Sequence, residues 1–277
     1  MASPTFSVII VNYNSGRLAK ACVESIRRSA PQATYEVIVV DNASPDDSSE
    51  LLATEVPDIR FLPQRENLGF ARGVNVGIAV ARGDFLLILN PDIFVLGRAI
   101  DTLVEFARAH PQAAVLAGQL LNANGSRQDS VFRFYTPWTI LARRTPLGLL
   151  PAGRRHLDWV LLRDYDRAAP RRVDWVLGAC MLVRRSIIET VGPMDGRYFL
   201  YFEDMDWCRR FWRSGFEVWY VPAARFAHYY KRASAQEGGL SALFHRPTRT
   251  HIVSGLKYFW KYRREGLLSS PPVSKNP

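Results

Sequence analysis

The segment Asn90-Pro91-Asp92 combines residue types that can bind a phosphorylated ligand through a metal ion. It follows the apolar run Phe85–Leu89, which predicts a strand buried on both faces, and Pro91 predicts a turn directly after that strand. Asp92 is then placed at the carboxyl end of a buried strand, where open α/β sheets bind ligands and where a carboxylate can hold a divalent cation. The alternative is that Asp92 is the N-cap of a helix beginning at Ile93.

Two further segments suit a nucleotide ligand. Asp41 ends the β-branched run Tyr35–Val40 and can accept hydrogen bonds from a ribose or a base N–H, although a turn residue explains it equally well. Gly69 and Gly73 lie near a predicted helix start, where backbone N–H groups can approach an anion, and Arg72 can bind a phosphate. Close packing of the helix on the sheet is the alternative explanation for these glycines.

Glu203, Asp204 and Asp206 place three acids at the start of a predicted helix. The aromatic segment Tyr198–Phe202 precedes them and would surround them with apolar surface, which suits a general base. Stabilisation of the helix dipole is the alternative, and the two roles are compatible. His228 can complete a metal site of one carboxylate and one imidazole with Asp92, although a lone histidine is more often simply packed.

Alternating strands and helices must position these residues. The pattern predicts an α/β fold with a mostly parallel central sheet and helices on both faces. The predicted strands are Ser7–Val11, Tyr35–Val40, Ile59–Leu62, Phe85–Leu89, Ala113–Leu121, Val173–Leu177 and Phe216–Val221. The predicted helices are Leu18–Ile26, Ser48–Thr54, Phe70–Ala81, Arg98–Arg108, Ile187–Val191 with Ser186 as its cap, and one from Met205 to Trp212. Residues 132–172 read as a long, partly mobile insertion that contains short helices.

The composition limits the compartment and the partner. The net charge of +10 predicts an anionic partner: a nucleic acid, a membrane surface or a phosphorylated substrate. Nucleic acid is disfavoured, because RNA-reading sheets expose stacking aromatics and this sheet is predicted to be covered on both faces. No apolar run is long enough to span a bilayer, and no basic segment precedes the run Phe6–Val11, so we expect a cytoplasmic protein. The three cysteines are widely spaced and are predicted to be reduced core thiols.

Five motifs in a fixed order resemble family 2 glycosyltransferases of GT-A fold, and the match covers roughly residues 6–228. They are VIIVNYN at 8–14, VVDNAS at 39–44, NLGFARG at 67–73, LNPD at 89–92 and FEDMD at 202–206. The Asn-Pro-Asp form is similar to the rhamnosyltransferase branch, which uses dTDP-L-rhamnose. The resemblance therefore implies a Rossmann-like GT-A sheet with residues 1–97 as its nucleotide-sugar half, 98–228 as its acceptor half and 229–277 as a basic, aromatic C-terminal tail.

The resemblance also implies roles for individual residues. Asp204 would be the catalytic base, and Asp92 and His228 would hold Mg²⁺ or Mn²⁺. The implied donor-binding residues are Asn12, Tyr13, Asp41, Asn67, Gly69, Arg72 and Asn90. The implied acceptor-binding residues are Gly178, Met181, Glu203 and Asp206. The chain departs from the family's D-x-D motif at Asn90, which removes one negative charge from the metal site.

The implied reaction is the inverting transfer of L-rhamnose from dTDP-L-rhamnose to a hydroxyl of a glycan or lipid-diphosphate sugar, in bacterial cell-envelope polysaccharide synthesis. A UDP-sugar is the alternative donor. The tail of residues 229–277 fits an anchor at the inner face of the plasma membrane, and a helix packed on the core or a homodimer contact fits it equally well. Two competing functions remain. One is a non-catalytic sugar-nucleotide-binding protein. The other is a sugar-phosphate nucleotidyltransferase, which is less favoured because Asn12 and Tyr13 follow strand one where such an enzyme would have a glycine-rich basic loop.

Overall fold

The fold is known from a computed structural model that describes residues 3–163, 165–229 and 246–264. The strands are β1 Phe6–Asn12, β2 Tyr35–Asp41, β3 Arg60–Pro63, β4 Phe85–Leu89, β5 Ile93–Leu96, β6 Ala113–Leu121, β7 Val131–Phe132, β8 Arg171–Arg172, β9 Trp175–Val176, β10 Cys180–Arg184 and β11 Glu217–His228. The helices are α1 Gly16–Ser29, α2 Ser48–Glu55, α3 Phe70–Val80, α4 Ala99–Ala109, α5 Pro137–Arg144, α6 Pro151–Val160, α7 Arg185–Val191, α8 Glu203–Arg213 and α9 Arg246–Tyr262, with a 3₁₀ turn at Pro146–Leu149.

A nine-stranded sheet forms the centre of the molecule. Its path is β3-β2-β1-β4-β10-β6-β11-β5, with β8 paired to β11 off this path. The strands β1, β2, β3 and β4 are parallel, β10 is antiparallel to β4 and β6, and β11 is parallel to β6. Every residue of β1 and β4 is buried, as expected for apolar strands covered on both faces. The predicted mostly parallel sheet is therefore confirmed.

Two hydrophobic cores lie on opposite faces of this sheet. One contains α1 and α4 through side chains such as Cys22 and Leu103, and the other contains α3 and α8 through side chains such as Val74 and Phe211. The strands alternate between the two cores, with Ile9 in one and Ile10 in the other. Helices on both faces, as predicted, thus cover strands that present apolar side chains to both sides of the sheet.

Three local predictions differ from the structure. Asp92 does not cap a helix, because the residues after it form β5, which pairs with β11. The last strand of the main sheet does not end at Val221 but continues to His228 through a register shift after Val221. Ser186 lies inside α7, which begins at Arg185 and has no side-chain cap. The short helices predicted within segment 132–172 are present as α5, α6 and a 3₁₀ turn, each with proline in its first turn.

The C-terminal helix α9 packs on the core. Tyr258 and Tyr262, one turn apart, are fully buried, and the Tyr258 hydroxyl accepts a hydrogen bond from Arg209 of α8 at 3.0 Å. This placement fits the packed-helix interpretation of the tail, whereas residues 230–245 and 265–277 of the predicted extension lie outside the described part of the chain. The predicted boundary between the two halves, at residues 97 and 98, falls between β5 and α4. Within the described residues, none of the helices combines the length and apolar character needed to cross a bilayer.

Candidate active site

The paired ends of β1 and β2 carry Asn12 and Asp41 side by side. Both residues are buried, and the Asn12 amide donates a hydrogen bond of 2.8 Å to Asp41 Oδ1. Ser44 fixes the same carboxylate from both its hydroxyl, at 2.6 Å, and its backbone N–H, at 3.1 Å. Asn12 Oδ1 and Asn42 Oδ1 are both buried without a hydrogen-bond donor among the described residues, so this sheet edge retains two unsatisfied acceptors. Tyr13, directly after Asn12, is 44% exposed.

The start of α3 lies against this edge. Gly69 has φ +78°, and a Cβ there would lie 2.3 Å from the Phe199 carbonyl oxygen, so only glycine fits this position. Asn42, next to Asp41, donates to the Gly69 carbonyl at 3.1 Å. Asn67 Oδ1 accepts from the Gly69 N–H at 2.9 Å, and the N–H of Phe70 donates to the Phe199 carbonyl at 2.7 Å. The NLGFARG motif thus connects the β2 end to the loop that precedes α8.

The Asn90-Pro91-Asp92 turn brings Asp92 to a buried histidine. Asp92 Oδ1 lies 3.4 Å from His228 Nε2, and His228 Nδ1 lies 2.9 Å from Gln128 Oε1. An amide oxygen only accepts hydrogen bonds, so Nδ1 carries the proton and Nε2 faces Asp92, which is the second-shell arrangement of metal-binding histidines. Two adjacent ligands of an octahedral Mg²⁺ are about 3.0 Å apart, close to the separation of these two atoms.

The Asp92–His228 pair can supply two protein ligands to a cation. No group of three or more His, Cys, Asp or Glu side chains suited to a metal occurs in the described ranges. A hard cation such as Mg²⁺ commonly uses one or two protein ligands and takes the rest from substrate phosphates and water. These two side chains alone would leave most of the coordination of such a cation to phosphate or water oxygens.

Asp204 lies at the first turn of α8 and is 7% exposed. Its Oδ2 accepts from the Gly178 N–H at 2.9 Å and its Oδ1 from the Met205 N–H at 2.8 Å. Burial raises the pKa of Asp204 to about 6, although these two backbone N–H groups act in the opposite direction. Burial, and then the Asp204 charge, raise the pKa of the neighbouring Glu203 well above its usual range. With this pKa the Asp204 carboxyl is mostly ionised at neutral pH, beside a Glu203 carboxyl whose pKa is also raised by burial.

A chain of contacts joins the three aspartates into one region. β1 pairs with both β2 and β4 in parallel, so Asp41 and the Asn90 turn lie at the same edge of the sheet. The Asn90 N–H donates to the Ala179 carbonyl at 2.8 Å, next to the Gly178 that binds Asp204. A Cβ built on Gly178 would lie 3.3 Å from both Asp204 and Phe70. The carboxyl edge of the sheet therefore gathers the predicted donor, metal and base positions.

Two predicted acceptor residues lie elsewhere. Met181 is fully buried within β10 and packs in the hydrophobic core. Asp206 is also fully buried, where its Oδ1 accepts from Lys261 at 2.6 Å and Tyr262 at 2.8 Å, and its Oδ2 accepts from Arg210 at 3.0 Å. Neither side chain is exposed in the structure, because one is a core residue and the other joins α8 to α9, so their acceptor contacts stay predictions.

Arg72 also differs in place from the other predicted donor residues. It follows Phe70 by two positions and so projects from a different side of α3. Its Nε donates to the Gly196 carbonyl at 3.0 Å, and it lines a cavity of about 570 Å³ together with Asn67, Arg197 and residues of α9. The aromatic and cationic residues that α9 contributes to this cavity were not foreseen, nor was Gln128 as a partner of His228.

Comparisons with known proteins agree with this geometry. The model of the family described as "Glycosyl transferase family 2" matches residues 7–192. The N-acetylglucosaminyl-diphospho-decaprenol L-rhamnosyltransferase of Mycobacterium tuberculosis is 27% identical over 276 residues, which cover 92% of this chain and 86% of that protein. Rhamnosyltransferase WbbL of Escherichia coli is 25% identical and covers 92% of this chain and 93% of that protein.

A solved structure shares the fold. GalNAc-T7, crystallised with UDP, GalNAc and Mn²⁺, superposes with a TM-score of 0.63 at 18% identity, over 98% of this chain and 53% of that protein. The chain thus spans about half of the length of this structural neighbour. At that identity the likeness supports the GT-A fold alone. The family match covers more than half of the chain, and this protein therefore belongs to glycosyl transferase family 2 and is a glycosyltransferase.

Proposed function

We propose that the protein transfers L-rhamnose, with inversion, from dTDP-L-rhamnose to a hydroxyl of a lipid-diphosphate-linked sugar. The observation that carries this proposal is the position of Asp204, a buried carboxylate with a raised pKa at the same sheet edge as Asp41 and Asp92. The rhamnose and the lipid-linked acceptor are inferred from the names of the two relatives, one of which acts on a diphospho-decaprenol sugar.

The chain's own residues divide the chemistry between them. Asn12 and Asp41 hold the nucleotide, and Gly69 lets the backbone of α3 approach it. Asp204 takes the proton of the acceptor hydroxyl, whose oxygen bonds to the anomeric carbon on the face opposite the diphosphate, and the bond from that carbon to the diphosphate oxygen breaks. Asp92 and His228 would hold a divalent cation, which would offset the negative charge that develops on the leaving diphosphate.

Glu203 and Gly178 position the base. The Gly178 N–H orients the Asp204 carboxylate, and burial raises the pKa of Glu203, which opposes a second negative charge beside that carboxylate. Glu203 Oε2 has no hydrogen-bond partner among the described residues, so it can interact with the acceptor sugar. Asn90 in place of a first aspartate leaves the metal site with one carboxylate, so we expect weaker metal binding in the absence of the donor.

Asp204→Asn tests the proposal. It removes the base but keeps the side-chain shape, so we expect turnover to fall by about 10²-fold or more while dTDP-rhamnose still binds. The measurement is dTDP release with and without acceptor, alongside calorimetry with the donor. Asp158→Asn is the matched control, because Asp158 is an exposed aspartate that pairs only with Arg163 in the described structure. Turnover in Asp204→Asn equal to that of the control would remove Asp204 from the role of base.

The same proposal places the protein at the cytoplasmic face of the membrane. The outer face of α9 exposes four apolar side chains: Ile252, Val253, Leu256 and Trp260. Exposed basic residues flank them: Lys257, Arg263 and Arg264. An apolar stripe between cations suits an anionic lipid surface.

Vesicle binding tests this location. Leu256→Gln should weaken co-sedimentation with phosphatidylglycerol vesicles, whereas Leu96→Gln, at an exposed leucine of the edge strand β5, should not. Equal binding by both variants would leave α9 as a packed helix without a membrane role. Cross-linking in solution tests the remaining alternative, a homodimer.

A further inference from the structure

The cavity between α3, the loop before α8 and the helix α9 carries an excess of positive charge. Four cationic side chains line it, Arg72, Arg197, Lys257 and Lys261, against a single carboxylate among the described lining residues, Glu66. Its volume of about 570 Å³ lies within the range of small-molecule sites.

Two of these cations are not neutralised by the fold. Arg197 and Lys261 both pair with Asp195, at 2.6 and 2.9 Å. Arg72 and Lys257 instead donate only to backbone carbonyls, those of Gly196 and Arg197, and the described residues offer neither of them a carboxylate. The cavity therefore holds two cations that an anionic ligand can pair with at little structural cost.

The cavity adjoins the donor end of the cleft and shares Asn67 with it. Phe70 contacts the Gly178–Asp204 region, whereas Arg72 projects from another side of the same helix and contacts Gly196. One wall, Gly196–Phe199, lies just before α8, which carries Glu203 and Asp204. A ligand bound there thus lies beside the segment that carries the base.

The rim of the cavity is apolar and is formed by side chains of α9 and of the loop before α8. Trp260 is 68% exposed and Phe199 is 47% exposed, and Leu256 lies one turn before Trp260 on the same helix face. Anion-binding side chains below an apolar, lipid-suited rim match a ligand with a charged head joined to a hydrocarbon chain. An acceptor whose sugar is joined to a lipid through a diphosphate has this order of parts: sugar, two phosphates, hydrocarbon.

We propose that this cavity binds the diphosphate of the lipid-linked acceptor, through Lys257 and Arg72, and so sets acceptor specificity. The inference rests on the proposed function, since it gives the acceptor of that reaction its binding site. Trp260 and Leu256 would contact the first part of the hydrocarbon chain, while the sugar reaches Asp204 along the Gly196–Phe199 wall.

Lys257→Gln tests the inference, with Arg249→Gln as its control. Both remove one exposed positive charge from α9, but only Lys257 lines the cavity. The acceptors are N-acetylglucosaminyl diphosphate on a short prenyl chain and the same sugar on an uncharged alkyl chain. We expect Lys257→Gln to raise KM at least about tenfold for the diphosphate acceptor alone, because the variant loses one charge-assisted hydrogen bond. We expect Arg249→Gln to have the KM of the wild type for both acceptors.

Calorimetry with geranyl diphosphate gives a readout that needs no turnover. The proposal is supported if Lys257→Gln weakens geranyl diphosphate binding about tenfold and leaves the donor KM unchanged. Failure of sugar transfer to these acceptors would count against the proposed function and not against this binding site. An unchanged acceptor KM and unchanged geranyl diphosphate binding would overturn the proposal. A parallel rise in the donor KM would assign the cavity to the nucleotide and overturn the proposal. The proposal would also be overturned if Lys257→Gln and Arg249→Gln weakened only the binding to phosphatidylglycerol vesicles, and by equal amounts, since Lys257 would then bind lipid headgroups.

Discussion

The junction of α8 and α9 allows a quantitative prediction. Asp206 is fully buried and accepts hydrogen bonds from Lys261, Tyr262 and Arg210. The side chains of the two cations, Lys261 and Arg210, are only 22% and 18% exposed. Asp206→Asn leaves two cations facing a neutral amide. Removing one partner of a buried ion pair costs about 3–5 kcal/mol, and we expect the lower end of this range because Lys261 keeps Asp195 at 2.9 Å.

Thermal unfolding measures this cost. For a protein of this size, about 3 kcal/mol corresponds to a fall in Tm of roughly 6–12 °C. Tyr262→Phe removes a single hydrogen bond to the same carboxylate, so we expect a smaller loss of about 1.5–3 kcal/mol. The double variant should lose less than the sum of the two, because the hydroxyl interacts with the charge that Asp206→Asn removes.

The control is Asp158→Asn, whose exposed pair with Arg163 is worth about 1 kcal/mol or less. A Tm for Asp206→Asn within about 2 °C of the wild type would refute the reasoning, since the buried carboxylate would then not hold α9 on α8. Strict additivity in the double variant would likewise show that Tyr262 and Asp206 act independently.

Three further predictions concern the site. Because the pKa of Asp204 is raised to about 6 and its protonated form cannot accept a proton, kcat should fall about tenfold per pH unit below that value and level off above it; a flat profile from pH 5 to 7 contradicts this. Gln128→Leu removes the hydrogen-bond partner of His228 Nδ1 and should weaken Mn²⁺ binding in the presence of dTDP about 10–100-fold, as measured by electron paramagnetic resonance. Unaltered Mn²⁺ binding would exclude Gln128 as the residue that orients the His228 imidazole. Gly69→Ala should lower Tm by several degrees more than Gly125→Ala, since both glycines have positive φ but only Gly69 meets a neighbour, the Phe199 carbonyl; equal shifts would argue against that clash.

The apolar strands and their polar ends were predictable because they depend on local pattern alone. The burial of β1, of β4 and of the last five residues of β2 follows from their apolar runs, and the parallel order of these strands places Asp41 and Asp92 at one edge. β5 was not predicted, because four residues after a proline turn become a strand only by pairing with β11, which lies more than a hundred residues later in the chain. The proline after each of Thr136, Thr145 and Leu150 was a usable helix-start signal in the segment assigned as irregular.

The roles of single side chains were less predictable than their segments. Asp204 and Asp206 are two residues apart on one helix and so project from different sides of it, but no local pattern shows which of these sides α9 covers. The spacing of Tyr258 and Tyr262 does indicate a buried helix face, but it does not identify the element that it covers. Arg72 belongs to a family-like motif, and its direction depends on a carbonyl at Gly196 that no local pattern specifies.

The three cysteines have a practical consequence for experiments in solution. Cys22, Cys180 and Cys208 are the full cysteine content of the sequence, and all are buried. Burial raises the pKa of each thiol, so the reactive thiolate is scarce at neutral pH. A fluorophore or spin label aimed at an engineered cysteine on the outer face of α9 would therefore attach there almost exclusively, without prior replacement of the native thiols. The native protein thus already provides a nearly silent background for labelling the helix beside the cationic cavity.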